Sequence, residues 1–235
     1  MTELTLAGDP PIPLILRRSA RARRISLRIS QLDGRVTLTV PKGVPDRDAV
    51  GFAHEKEPWI RKHLLARGVD VTVGLGAELP LGGQMHRVVA GVGRSVRIEP
   101  GRIAVPGGSE HAGRRLVGHL KQVARTQLAA ASDHYAGQLG RSYQAITLRD
   151  TRSRWGSCTS DGRLMYSWRL ILAPPQVLDY VAAHEVAHLV EMNHSAAFWA
   201  IVERIHGDYT APRRWLRTHG SDLHRYRFDR AHEAP

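Results

Sequence analysis

Residues 184–188 read His-Glu-Val-Ala-His, inside a stretch that is otherwise apolar, with Val181, Ala182, Val186 and Leu189 around them. Pro174-Pro175 can open a helix here, and the pattern runs to about Met192. Residues four apart share one face of a helix, so His184 and His188 aim two imidazoles at one point. Glu185 is rotated by about 100° from His184, so its carboxyl flanks that point without occupying it. Polar groups on a buried helix are costly unless something pairs with them. Two convergent imidazoles suit a zinc ion, and the adjacent carboxylate can take a proton from water that the ion acidifies. With 13 His in the chain, this five-residue pattern arises by chance only about 0.03 times. The segment is therefore read as a hydrolytic metal site rather than a surface helix rich in His and Glu.

A zinc site needs a further protein ligand from beyond this helix. Asn193 suits a left-handed helix stop and His194 follows it at once, which lets its side chain fold back. His188 and His194 carry the spacing of the longer three-histidine zinc motif, with Glu191 where that motif has a turn-forming glycine; the turn is thus expected at Asn193. Glu203, one helix further on, is the rival ligand, and His206 is another candidate. Asp179 and Asp208 are candidates to hold a ligand imidazole by its other nitrogen.

The rest of the chain is read as α+β. Arg24–Ser30 and Arg35–Val40 alternate apolar and polar on either side of Asp33-Gly34, which marks a hairpin. Residues 46–66 look helical, with Pro58 splitting or kinking the helix. Short strands are expected at 84–90, 95–99 and 102–105. The composition changes at Pro106-Gly-Gly-Ser109, where Ser109 can cap a helix to about Leu139. This divides the chain into a β-rich N-terminal region, 1–108, and a catalytic domain, 109–235. Strand 145–149 and a hairpin of 155–158 with 163–168 precede the metal helix. A further helix begins near Ser195, and the tail from Asp229 is expected to fray. Gly74-Leu-Gly76 is no phosphate loop, because no strand-to-helix step follows it.

Charge matters next. Lys and Arg number 34 against 22 acids, a net charge of +12, which favours anionic partners such as nucleotides or nucleic acid. Arg17, Arg18, Arg21, Arg23, Arg24 and Arg28 form the densest cluster, read either as a phosphate-holding surface or as a solvated hairpin face. No aromatic residues interleave them, so no stacking platform for single strands is present. The single cysteine, Cys158, excludes an intrachain disulfide and fits a reducing compartment. It is not read as a nucleophile. Ile12–Leu16 is too short for a signal peptide core, and no run is long enough to span a membrane. A cytoplasmic location is expected.

Arg154-Trp-Gly-Ser-Cys158, Ser167-Trp-Arg-Leu-Ile-Leu-Ala-Pro174, the His184–His188 motif and Asn193-His-Ser195 with Phe198-Trp199 together resemble the YgjP-like metallopeptidases. These are small zincins related to the SprT-like proteins. The likeness is strongest over residues 140–215 and extends loosely to the N-terminal strands and Pro58-Trp59-Ile60. It implies zinc held by His184, His188 and His194, with Glu185 as catalytic base. It also implies a zincin-like α+β domain whose mixed sheet has an edge strand near 163–172 above the active-site helix. Such an edge binds an extended peptide by strand addition. Trp155, Gly156, Ser157 and Tyr166 are candidates for contact with that substrate, Gly156 by letting a peptide backbone come close. Tyr166-Ser167 departs from the family, which commonly has Asn before the second Trp.

Three functions follow. The first is a zinc metallopeptidase acting on an extended peptide or unfolded protein. The second is a nucleoside triphosphate pyrophosphatase using the same metal, since activated water can attack phosphorus or a carbonyl. The third is a nucleic-acid-associated protein in which zinc is structural.

Overall fold

The computed structural model describes residues 2–30, 34–66 and 68–228, in a mixture of helices and small sheets. The chain divides into two compact units, Met1–Val69 and Asp70–Pro235. In the first, β1 (Thr2–Leu6), β2 (Ile12–Ser19), β3 (Ser26–Ile29) and β4 (Val36–Pro41) form a sheet in the order β1-β2-β4-β3. Alternation sets its faces: Val36, Leu38 and Val40 are buried, while Thr37 and Thr39 point out. Helices α1 (Asp46–Glu55) and α2 (Glu57–Ala66) add Ala49, Ala53 and Ile60 to that core. The split expected at Pro58 falls at Lys56, two residues before it, because proline fits a helix start but has no N–H for a continuing ladder. The predicted hairpin is present as antiparallel β3 and β4. Asp33 of its turn lies outside the described residues, as does the tail from Asp229. Arg17, Arg28 and Arg35 surround Thr37 and Thr39 on the outer sheet face, whereas Arg18 pairs with Asp46.

In the second unit, β6 (Glu78–Leu81), β7 (Gln84–Gly91), β8 (Arg97–Glu99) and β9 (Arg102–Pro106) follow the short β5 (Val71–Thr72) and make a sheet of order β6-β7-β9-β8. Gly82 and Gly83 turn β6 into β7 at φ 58° and 76°, a conformation that favours glycine. Leu79, Val88 and Ile103 of this sheet share one core with Leu116, Leu120 and Leu128 of α3 (Ala112–Leu139). The division therefore falls between Val69 and Asp70, rather than at the 108/109 boundary expected from composition. The change at Pro106–Ser109 marks the entry to α3 and no change of core. Ser109 itself sits in a 3₁₀ turn and makes no side-chain cap.

The site is carried by β10 (Ala145–Arg149), β11 (Gly156–Cys158), β12 (Arg163–Ser167), α4 (Pro175–Ala187), α5 (Ala196–His206) and α6 (Thr210–His219), before β13 (Tyr226–Arg227) pairs back onto β5. The three-stranded sheet has the order β10-β12-β11. Strand β12 is thus central, and Trp168–Leu172 is a buried 3₁₀ turn. The edge expected at 163–172 is instead β11. Among the described residues no helix is long and apolar enough to cross a membrane.

Arg169 anchors that 3₁₀ turn. Its guanidinium donates to both carboxylate oxygens of Asp150, at 2.6 and 3.0 Å, and to the carbonyls of Leu223 and Tyr226, each at 2.9 Å. Burial pushes the Asp150 pKa up, but the Arg169 hydrogen bonds and charge outweigh it and hold the carboxyl below its usual value. His224, in the same group, is buried, and burial followed by the Arg169 charge pushes its pKa down to about 4. Between its ordinary value of 6.5 and about 4, the unfolded chain binds a proton that the folded chain refuses. This contribution is full above the unfolded pKa and lost as pH falls toward the folded one. Urea unfolding of the metal-free protein at about pH 7 and about pH 4.5 is expected to show a smaller acid loss in His224→Gln than in wild type. His184 and His188 titrate in the same sense in both proteins, so equal losses would remove His224 from this role.

Candidate metal centre

Helix α4 begins on Pro175 and buries nine of its residues, Glu185 among them. It ends at Ala187, earlier than the periodicity suggested, and the chain tightens through bonds from Leu189 N–H to Val186 O and Val190 N–H to Ala187 O, both 3.0 Å. No described residue other than glycine has positive φ. Asn193 is therefore not a left-handed stop, and the turn needs no glycine at 191 because it starts at His188. Glu191 serves the loop twice. Its carbonyl accepts from His188 Nδ1 at 3.0 Å, and its Oε1 accepts from the Asn193 N–H at 3.1 Å.

The loop returns His194 to α4, with its Nε2 3.0 Å from Nε2 of His184. One ligand atom from each of His184, His188 and His194 lies within 4.8 Å of the others. Two nitrogens held at about 2.0–2.1 Å by a tetrahedral ion stand about 3.3 Å apart, so this spacing fits one. With Nδ1 of His188 spent on a carbonyl, Nε2 is left with the lone pair a cation needs. Burial, then the neighbouring His188 and His194, pushes the His184 pKa down to about 3; burial lowers His188 as well. Both imidazoles are thus neutral near pH 7, as ligands must be.

Helix α5 supplies the wall. Ser195 caps it by accepting from the Phe198 N–H at 3.3 Å. The buried Phe198 ring lies 4.4 Å from His188, 4.8 Å from His194 and 4.9 Å from His184, centroid to centroid. Trp199 stacks on His194 at 5.8 Å. Glu203 is exposed, and neither it nor His206 belongs to the convergent group. Asp179 accepts from the Tyr135 hydroxyl at 2.5 Å and faces His206 at 3.6 Å. Asp208 caps α6 through the Thr210 N–H at 2.8 Å. Neither supports a ligand imidazole, and Nδ1 of His184 is buried without a hydrogen-bond partner.

Of the four residues considered for substrate contact, two change role. Tyr166 is fully buried, its hydroxyl 3.0 Å from Ser132 Oγ, so it belongs to the core. Trp155 packs on Gly220, where a Cβ would come within 3.0 Å of its ring, and on His224 at 5.2 Å. Gly156 and Ser157 lie on β11 beside α4. A Cβ at Gly156 would stand 2.5 Å from Glu185 Oε1, so the absent side chain makes room for the Glu185 carboxyl. Burial pushes that carboxyl up to about 8, against the Arg154 charge. Burial and then Glu185 raise the Cys158 thiol to about 11, which keeps it protonated and unreactive. The Ser167 N–H donates to Trp155 O, and Thr159 N–H to Arg163 O. Alternation in an antiparallel pair then turns the N–H and C=O of Gly156 and Cys158 toward the free edge.

Three convergent imidazoles with a buried carboxyl beside them are the equipment of a metal-dependent hydrolase. The chain matches the family described as YgjP-like, metallopeptidase domain, over residues 23–219, and it belongs to that family. The crystal structure of the metallopeptidase zymogen of Pyrococcus abyssi abylysin shares 20% identity with it, over 40% of this chain and 92% of that one, at a TM-score of 0.35. No curated protein matches the chain.

The contact at Gly156 yields a direct test. Gly156→Ala is expected to keep the fold by circular dichroism and to bind zinc like the wild type. Its hydrolytic rate should fall by about 100-fold, the scale of a displaced catalytic group. Full activity would show that Glu185 does not work from this position.

Proposed function

We propose that the protein is a zinc peptidase that cuts extended peptides, with His184, His188 and His194 as ligands and Glu185 as general base. One observation carries this reading: the Glu185 carboxyl lies against Gly156 of the edge strand β11, and Glu185 directly follows His184, one of the three convergent imidazoles. The proposed base and two of the proposed ligands thus come from one helix and its end, with a strand edge packed against that helix. Zinc, when bound, supplies Lewis-acid polarisation and acidifies water. The chain's own residues do the rest.

The outward N–H and C=O groups of Gly156 and Cys158 pair with the backbone of an added strand, which holds a peptide by main-chain hydrogen bonds whatever its sequence. Ser157 lies between them with its backbone turned to β12, and Trp155 fixes the start of the strand. Glu185, held near-neutral by burial until a cation beside it favours the carboxylate, takes a proton from the attacking water and passes it to the leaving nitrogen. Phe198 and Trp199 pack against the imidazoles and hold them in place.

Glu185→Gln is expected to retain zinc and to lose about 10²- to 10⁴-fold in turnover, the range for a positioned base. Zinc-loaded protein should cleave a quenched extended peptide or denatured casein, and leave nucleoside triphosphates intact. Nucleotide hydrolysis without peptide cleavage would contradict the assignment.

A further inference from the structure

Helix α6 reads Thr210-Ala-Pro-Arg-Arg-Trp-Leu-Arg-Thr-His219. Thr210, Arg213, Arg214 and Arg217 fall at i, i+3, i+4 and i+7, which is one face of a helix. With Tyr209 they line a cavity of about 340 Å³, and no acidic side chain lines it. All three arginines are exposed, and none forms a salt bridge with a described residue. Asp208, which precedes the helix, accepts from the Thr210 N–H and feels the Arg214 charge without forming an ion pair with it.

This face adjoins the metal centre through one side chain. The Arg213 guanidinium carbon sits 4.4 Å from the Trp199 ring centroid. Trp199 stacks on His194 and lies 5.6 Å from His184. Tyr209 stacks on Trp199 at 5.1 Å. Three guanidinium groups on one helix face repel one another, and Arg213, seated on Trp199, adds positive charge beside the imidazoles. An anion relieves that repulsion, and the planar guanidinium fork matches a carboxylate bidentately.

We propose that the Arg213–Arg214–Arg217 face is an anion subsite of this centre, which takes acidic side chains of the peptide substrate. The inference rests on the peptidase reading for its ligand. Spacing agrees: alternate side chains of an extended peptide stand about 6.8 Å apart, and residues one turn apart on α6, such as Arg213 and Arg217, about 6 Å. The subsite makes the enzyme selective for acidic segments, where strand pairing on β11 is indifferent to sequence.

The test measures binding, so that it does not depend on turnover. Fluorescently labelled extended peptides carrying Glu at alternate positions, and their Gln counterparts, are titrated against the full-length zinc-loaded Glu185→Gln protein. The Glu peptide is expected to bind at least about tenfold tighter at low salt, and the difference to vanish in about 0.5 M salt. Adding Arg214→Gln and Arg217→Gln should bring the two affinities together. Both substitutions are on the exposed face, and the melting temperature checks the fold. Equal affinities in the parent protein, or a preference that survives the two substitutions, would overturn the subsite. Selective binding with no cleavage by the zinc-loaded wild type would leave the subsite standing and remove the peptidase reading.

Discussion

Burying Glu185 on α4 and His188 at its C-terminal cap is the costly step in this structure, because a carboxyl and an imidazole give up water for an apolar core. The surroundings are arranged to offset that cost. His188 finds a carbonyl on the loop that follows its own helix. His184 and Glu185 find no comparable protein partner; the first keeps an unbonded Nδ1, and the second is forced toward its neutral form. A cation at the meeting point of the three imidazoles takes one ring nitrogen from each and favours the Glu185 carboxylate by its charge, while Nδ1 of His184 stays unpaired. The return of the chain at 188–194, the aromatic wall of α5 and the bare Cα of Gly156 all serve that one point.

Much of this was legible in the sequence, because helical spacing is local. Four-residue separation alone aims His184 and His188 together, and an apolar setting marks their helix as buried. The hairpins were equally plain, since period-two alternation on both sides of a glycine leaves few other folds. What escaped was set by tertiary contacts. The Glu191 carbonyl carries no sequence signal as a hydrogen-bond acceptor, so the missing glycine looked like a defect in the motif. The structure shows a turn made from i→i+3 bonds instead. Tyr166 entered as a substrate contact through the family resemblance, yet it is fully buried on central β12 and its hydroxyl is spent on Ser132.

Gly156 shows how one residue can carry two readings. A glycine near an active site suggests close approach of a substrate backbone. Here the group that approaches is the Glu185 carboxyl, and the unpaired backbone edge lies on the outward side of the same strand. Phe198 and Trp199 belonged to the resemblance without a role; the structure makes them the packing that holds three imidazoles in register. Of the N-terminal arginines, Arg17 and Arg28 lie on the outer sheet face of the first unit, and Arg18 pairs with Asp46. On α6 of the second unit, Arg213 reaches the wall of the metal centre through Trp199, a contact with no signal in the sequence.

The central claim is that three imidazoles, His194 included, hold one metal ion. Zinc titration with a competing chelator, on wild type and His194→Ala, tests it most directly. The account predicts one zinc per chain in the wild type. In the variant it predicts a loss of affinity beyond the 10- to 100-fold typical of an outer partner. Unchanged affinity in His194→Ala, or a loss reproduced by Glu203→Ala, would contradict it.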